Sequence, residues 1–577
     1  MQRLSRHLPF SPSTTSLQAV TYLLGISLFS ISFLVFLNSS VSFVVTDLIG
    51  QKKNVGDVVG TLGFADEVVA LVACPTWGLV SDRLGVRWVS VISYAIIGIA
   101  LVLFVQAKNV YPQLLLARIL FAVGASAAAT MVTAILPSMT EDGDARDGRN
   151  LSRYKPNQRL SVAYSVESEA TITPERYARS QQQQQQQQQQ GAVGKSGNPS
   201  ALAGYVGLFT GCGALVALLL FLPLPARFGE IDGVTPGQAV SYSFYVVGAV
   251  SLGVAVFVFV GLRNLQGEEG KGWKALFGMS DRDSLSYLGA GDGSRSHRQV
   301  APYLDLVKDS VLLGFADSRI ALGYIGGFVA RASTVAISLF IPLYVNTFFI
   351  SNGYCQGSPH DASPELKKEC REAYVLSSIL TGVAQLVGLV CAPVFGYLSG
   401  RTGRVNYSVV VAAVSGVVGY LILPQLSSPE IKDVDGRGGT GGILLVVALM
   451  GVSQIGAIVC SLGSLGQGVV AAELSRSVLR EPCIAPGEDE SSESSESEPL
   501  VSISTKEDCA SRAGLKGSIA GVYSLCGGAA ILILTKLGGG LFDSVSRGAP
   551  FYMMATFNGI LLVASLFMDA SQAFSRM

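Results

Sequence analysis

The sequence predicts an all-α polytopic membrane protein of about twelve transmembrane helices arranged as two six-helix bundles. Three observations predict it. Charged residues make up 14% of the 577 residues while apolar residues make up 49%, and a soluble domain of this size would carry about 25% charged residues. Apolar stretches recur along the chain, each as long as the roughly 20 residues that a helix needs to cross hydrocarbon. The second half of the chain also repeats features of the first in the same order.

The apolar stretches occupy 17–37, 56–80, 88–106, 111–136, 201–224, 239–262, 319–347, 373–398, 406–424, 442–470, 514–535 and 549–569. The first follows a short basic segment, MQRLSRHLPFSPSTTS, and reads as a signal anchor rather than a cleaved signal. Glycine and proline inside the runs do not disqualify them, because both are common in membrane helices. The expected organisation is a tail at 1–16, a first bundle over 17–262, a central loop at 263–318, a second bundle over 319–569 and a tail at 570–577. A polar insert at 138–200, with the glutamine run 181–190, follows the fourth run. Another at 474–512, containing EDESSESSESEP, follows the tenth. Neither carries enough apolar surface to fold alone. In the central loop YLDLVKDSVLL reads as a short helix at the membrane surface.

Arginine and lysine set the orientation. Arg83, Arg87, Arg146, Arg149, Arg153, Arg263, Lys271, Lys274, Arg401, Arg404, Arg512 and Lys516 fall on one face, and the other face holds fewer. The positive-inside rule therefore places both termini and both inserts in the cytosol. Polyglutamine and long inserts suggest a eukaryotic host, fungal among others. Glu496 to Leu500, followed by Val501, loosely matches an acidic dileucine sorting signal, so the plasma membrane and a vacuolar or endosomal membrane both stay open. The acidic serine run is a candidate for phosphorylation.

Equal numbers of basic and acidic residues give no sign of a nucleic-acid partner. Three histidines and no CxxC give no metal spacing, and no cofactor is expected. Cys74, Cys212, Cys391, Cys460 and Cys526 lie in apolar runs and read as small packing residues. Cys355 and Cys370 share one polar loop on the far side, where a disulfide is open. No cluster at catalytic spacing supports an enzyme. GAVGKSG at Gly191 is too short for a phosphate-binding loop.

The halves echo each other. AGYVGLFTGCGAL from Ala203 matches AGVYSLCGGAAIL from Ala520, and GLVSDRLGVR from Gly78 matches GYLSGRTGR from Gly396. Parallel repeats of this kind mark a transporter. GLVSDRLGVR resembles the signature loop of the major facilitator superfamily, roughly G-x-L-x-D-R-x-G-x-R between the second and third spans. Gly78, Leu79, Asp82, Arg83, Gly85 and Arg87 all match. The resemblance implies a conformational latch, in which Asp82 accepts hydrogen bonds from the amino terminus of a facing helix and pairs with arginine. The plainer alternative is a basic turn that sets topology. In the second copy Gly396, Arg401, Gly403 and Arg404 keep the pattern while Gly400 stands in place of the aspartate, which makes any latch one-sided.

Charges inside the runs are costly, roughly 2.5–3.5 kcal/mol each on insertion scales, so they are kept for function or pairing. Asp66 and Glu67 lie in the second run and Arg118 at similar depth in the fourth, so a carboxylate and a guanidinium can meet. Adjacent residues stand about 100° apart on a helix, so one of the two acids faces the cavity. LLLARILFAVGASA resembles the superfamily's fourth-span motif through Leu114, Arg118, Gly124 and Ala125, with Phe121 and Ala122 in place of the usual glutamine and glycine. Arg118 then reads either as part of a proton-transfer site or as half of a buried structural ion pair. Arg331, deep in the seventh run, should face the internal cavity, where an anionic substrate group or a carboxylate of the first half would partner it. Gln385, Gln454 and Asn346 are cavity candidates, or else hydrogen-bond between helices. The drug-antiporter and sugar-porter signatures are missing from the fifth and sixth runs.

The function expected is secondary transport of a small molecule by alternating access, coupled to protons, by a monomer in the lipid bilayer. The alternative is a non-transporting receptor or scaffold on the same fold, using its long cytosolic loops.

Overall fold

The computed structural model describes residues 9–51, 55–140, 197–265, 268, 271–276, 303–353, 371–401, 406–432, 438–479 and 516–574. Among them every regular element is helical. Among the described residues twelve helices are long and apolar enough to cross a membrane: Ser16–Leu48, Val58–Leu84, Val86–Phe104, Val110–Thr140, Pro199–Gly229, Gly237–Gly261, Ser318–Ser351, Val375–Arg401, Tyr407–Gln425, Gly442–Ala471, Lys516–Ser544 and Ala549–Ser571. They are numbered here as spans 1 to 12. With an even number of crossings the first and last spans have their outer ends on one face, called here the termini face. Tyr303–Ala316 forms a separate helix before span 7.

Local chemistry sets several span starts. Thr15 and Gln18 form a capping box before span 1, and Thr235 and Gln238 another before span 6, with Pro236 in the first turn where its missing N–H is not needed. Span 1 runs eleven residues beyond the apolar stretch that ends at Leu37. Asn38, Ser39 and Ser40 interrupt the hydropathy there, yet the helix continues, because Ser40 is buried and Asn38 turns to a partner inside the bundle.

The spans pack as two six-helix bundles. In the first, Phe36 meets Phe221 and Phe244, and Phe104 stacks on Phe244 at 5.6 Å. In the second, Phe340, Tyr420, Met450 and Phe551 fill the core. Polar bonds stitch helices where no water competes: Tyr22 Oη donates to the Val132 carbonyl at 2.7 Å, Ser251 Oγ to the Tyr94 carbonyl at 2.8 Å, and Ser453 Oγ to Asn558 Oδ1 at 2.9 Å. The bundles meet along spans 2 and 11 and along spans 5, 8 and 10. Repetition reaches the backbone: spans 5 and 11 each pass from 18 residues of α-helix into a five-residue π-helical stretch, Ala217–Phe221 and Leu534–Gly538.

Candidate functional site

Two seams between the bundles lie at the termini face. In the first, spans 2 and 11 touch backbone to backbone, and a Cβ at Gly78 would collide with the Gly517 carbonyl oxygen. One turn further Asp82 reaches the amino terminus of span 11. Its Oδ1 accepts from the Gly517 N–H at 2.7 Å, and its Oδ2 accepts from the Ser518 N–H at 2.7 Å and from Ser518 Oγ at 2.5 Å. A carboxylate at a helix amino terminus gains from both the free N–H groups and the dipole. Lys271 is the cation whose charge acts on Asp82.

The second seam joins spans 8 and 5. A Cβ at Gly204 would lie 2.8 Å from the Gly396 Cα, so the glycines again permit close approach. The helix start of span 5 is served differently: Asn198 Oδ1 accepts from the N–H groups of Ser200 and Ala201, at 3.1 and 3.3 Å. Asn198 Nδ2 donates to the Gly400 carbonyl at 3.4 Å.

The rest of the signature loop is held within its own bundle. Gly85 has φ +99°, a conformation suited to glycine. Glu268, just beyond span 6, accepts from the Val86 N–H at 2.7 Å and pairs with Lys271 at 3.0 Å. The Gly272 N–H donates to the Arg83 carbonyl at 3.0 Å, and Trp273 packs edge-on against Trp88. Arg87 Nε donates to the Phe259 carbonyl at 2.9 Å, with the guanidinium 4.2 Å over the Phe259 ring. Residues 268 and 271–276 thus form a strap across the loop. In the second half Asp569, ending span 12, accepts from the Asn406 backbone at 3.1 Å before span 9. Arg401 stacks on Tyr397 at 4.3 Å. Gly403, Arg404, Cys355 and Cys370 lie outside the described residues.

Deeper in the first bundle, Arg118 of span 4 is 3% exposed and forms an ion pair with Asp66 of span 2. Its Nε donates to both carboxylate oxygens, at 2.9 and 2.8 Å, and its Nη2 donates to Asn38 Oδ1 of span 1 at 2.5 Å. Arg118 Nη1 is buried with no acceptor among the described residues. Glu67 points elsewhere, half-buried, and makes no hydrogen bond or ion pair among the described residues. The charge of Arg331 acts on it from span 7. Arg331 lays its side chain against Gly527 of span 11 and likewise makes no hydrogen bond or ion pair among the described residues. Thr334, one turn on, accepts from Gln454 Nε2 at 3.1 Å, and Gln385 Nε2 donates to Gln454 Oε1 at 3.4 Å. Asn346 is buried, its Oδ1 without a partner among the described residues. At the face opposite the termini, Lys536 of span 11 sits 4.2 Å over the Phe64 ring of span 2.

Asn198, Glu268, Thr334 and Asn38 were not among the residues marked by sequence, and Lys271 was marked only for orientation. Asn198-Pro199 is a recognisable helix start. Glu268, Thr334 and Asn38 act through partners far away in the chain.

Twelve spans, two repeat-related bundles and charged groups held between them define a multi-pass integral membrane transporter. The chain belongs to the major facilitator superfamily, whose family model matches residues 8–150 and 193–479. Its fold is similar to that of the proton:xylose symporter XylE bound to 6-bromo-6-deoxy-D-glucose, at 12% identity and a TM-score of 0.51, covering 96% of this chain and 94% of that one. It is also similar to FucP in the outward conformation, at 10% identity and a TM-score of 0.52, covering 95% and 98%. At such identities the likeness speaks for the fold alone. No curated protein matches in sequence.

Proposed function

We propose that this chain is a secondary carrier that moves a small molecule by alternating access, with proton movement coupled at Asp66. The observation that carries the reading is the Asp66–Arg118 pair, buried between spans and joined to Asn38. A carboxylate in such a place takes up a proton only if its guanidinium partner is released or rehydrated, which ties its protonation to helix movement. The Asp82 bonds across the first seam support a latch that holds the termini face closed and breaks when the bundles rock. The excess of Arg and Lys at that face supports a cytosolic location for both termini, for the inserts 138–200 and 474–512 and for the central loop 263–318. The bundles are taken as 17–262 and 319–569, acting as a monomer in the plasma membrane or a vacuolar or endosomal membrane.

The test is uptake into proteoliposomes under an imposed pH gradient, using solutes chosen by comparing metabolites of deletion and overexpression cells. The expected result is accumulation that is lost when the gradient is collapsed and lost in the Asp66→Asn variant. Accumulation indifferent to the gradient overturns the proton coupling. Absence of flux for every solute that binds overturns the carrier reading.

A further inference from the structure

Two opposite charges in the central region make no hydrogen bond or ion pair among the described residues. Glu67 belongs to the first bundle and Arg331 to the second: Arg331 lies against Gly527 of span 11, Leu71, one turn from Glu67 on span 2, lies against the adjacent Gly528, and the charge of Arg331 acts on Glu67 without an ion pair. The neighbouring charges are already spent, Asp66 on Arg118 and Arg118 on Asp66 and Asn38. Both side chains are half-buried, so water that screens them must be displaced by whatever binds between them.

We infer that the site takes a small zwitterion, its anionic end at Arg331 and its cationic end at Glu67. This inference rests on the carrier reading and narrows it to a substrate class. An anion alone would neutralise Arg331 while facing the Glu67 carboxylate. A cation alone would leave the guanidinium desolvated and unpaired, and a neutral polyol would match neither. A ligand with both charges satisfies both and bridges the bundles. The wall beside Arg331 is suited to the anionic end. Thr334 lies one turn from Arg331 on the same helix face, and the Thr334–Gln454–Gln385 chain ends in an exposed amide with hydrogen-bonding capacity to spare. On the other wall exposed Asn38 uses its Oδ1 on Arg118.

The test is a thermal-shift titration of the detergent-purified full chain with the twenty proteinogenic amino acids, glycine betaine and taurine, with xylose as the neutral probe. Each stabilising amino acid is then compared with its methyl ester, which keeps only the positive charge, and its N-acetyl derivative, which keeps only the negative one. At least one zwitterion should stabilise the protein, and both single-charge derivatives should bind about tenfold or more weakly. The Arg331→Gln variant should lose the preference over the methyl ester, and Glu67→Gln the preference over the N-acetyl form. The wild-type comparison stands even where a variant fails to fold. No stabilisation by any zwitterion, or equal binding of a derivative or of xylose, overturns the inference. Loading the stabilising zwitterion into proteoliposomes separates the two readings. Binding without flux sinks the carrier and spares the charge assignment; flux of a neutral solute with no zwitterion bound does the reverse.

Discussion

The two seams at the termini face are built from the same repeat and hold the bundles together differently. The register that aligns Ala203 with Ala520 also aligns Ser200 with Gly517 and Ala201 with Ser518. These are the N–H groups that need an acceptor at the start of spans 5 and 11. In span 5 the acceptor is Asn198 of the same helix. In span 11 it is Asp82, on the other bundle. The position equivalent to Asn198 is Leu515, whose side chain has no acceptor, and the position equivalent to Asp82 is Gly400. One seam is therefore fastened by charge-assisted bonds that vanish when the bundles separate. The other is held by close packing at Gly204 and Gly396 and by neutral bonds, a long one from Asn198 and one from Gln467 Nε2 of span 10 to Ser200 Oγ at 2.8 Å. A duplicated fold has placed its charge-assisted fastening on one side.

The contrast can be broken outright at its narrowest point. Gly78→Val puts a branched side chain onto the Gly517 carbonyl, a backbone collision that no rotamer relieves. Disulfide cross-linking between cysteines introduced on spans 2 and 11 at this face should fall at least about tenfold. Undiminished cross-linking would mean that the backbones do not approach as described. Next comes the latch itself. Asp82→Ala removes three bonds, each to a charged group and worth about 1.5–3 kcal/mol, so the balance between joined and parted seams should shift about a thousandfold or more. Spin-label distances across the seam would show a longer component, and an unchanged distribution would contradict the latch.

Asn198→Ala should behave otherwise. Loss of a cap costs about 1 kcal/mol, which lowers the melting temperature while leaving the cross-seam distances as they were. Combining it with Gly400→Asp sharpens the comparison. A Cβ at Gly400 meets the Asn198 side chain, so the aspartate has room at the start of span 5 only once Asn198 is truncated. The double variant should regain the lost stability and tighten the second seam, whereas Gly400→Asp alone should destabilise. The smallest effect is expected at the strap. Glu268→Gln weakens a partly exposed pair with Lys271 and a bond to the Val86 N–H, so about 0.5–1 kcal/mol is at stake, read as a drop of about one degree in thermal melting.

Much of this architecture was legible in the sequence. Hydropathy marked all twelve spans because each must hide its backbone from lipid. The matching Ala-Gly steps at Ala203 and Ala520 fixed the register that now pairs the two seams. The end of span 1 was not legible, because Asn38, Ser39 and Ser40 read as a break when considered without their neighbours. Asp82 stood out by its place in the loop motif and Arg118 as a charge in apolar surroundings whose depth matched the acids of the second run, but which helix Asp82 would serve was not readable. That Asp82 serves Gly517 and Ser518, or that Glu268 reaches Val86, depends on which helices adjoin in space. Arg87, grouped with the latch by its place in the loop, instead holds the Phe259 carbonyl of span 6. Hydropathy and spacing report on one segment at a time, and these bonds join segments far apart in the chain.

A helix whose first amides are served from across a boundary has an end that frays when that boundary opens. The amides of Gly517 and Ser518 should then exchange their hydrogens with solvent in proportion to the time the two bundles spend apart. Those of Ser200 and Ala201, supplied from their own helix, should stay protected throughout. Two backbone amides would thus serve as a built-in clock for the motion of half the molecule, with an internal control in the other half.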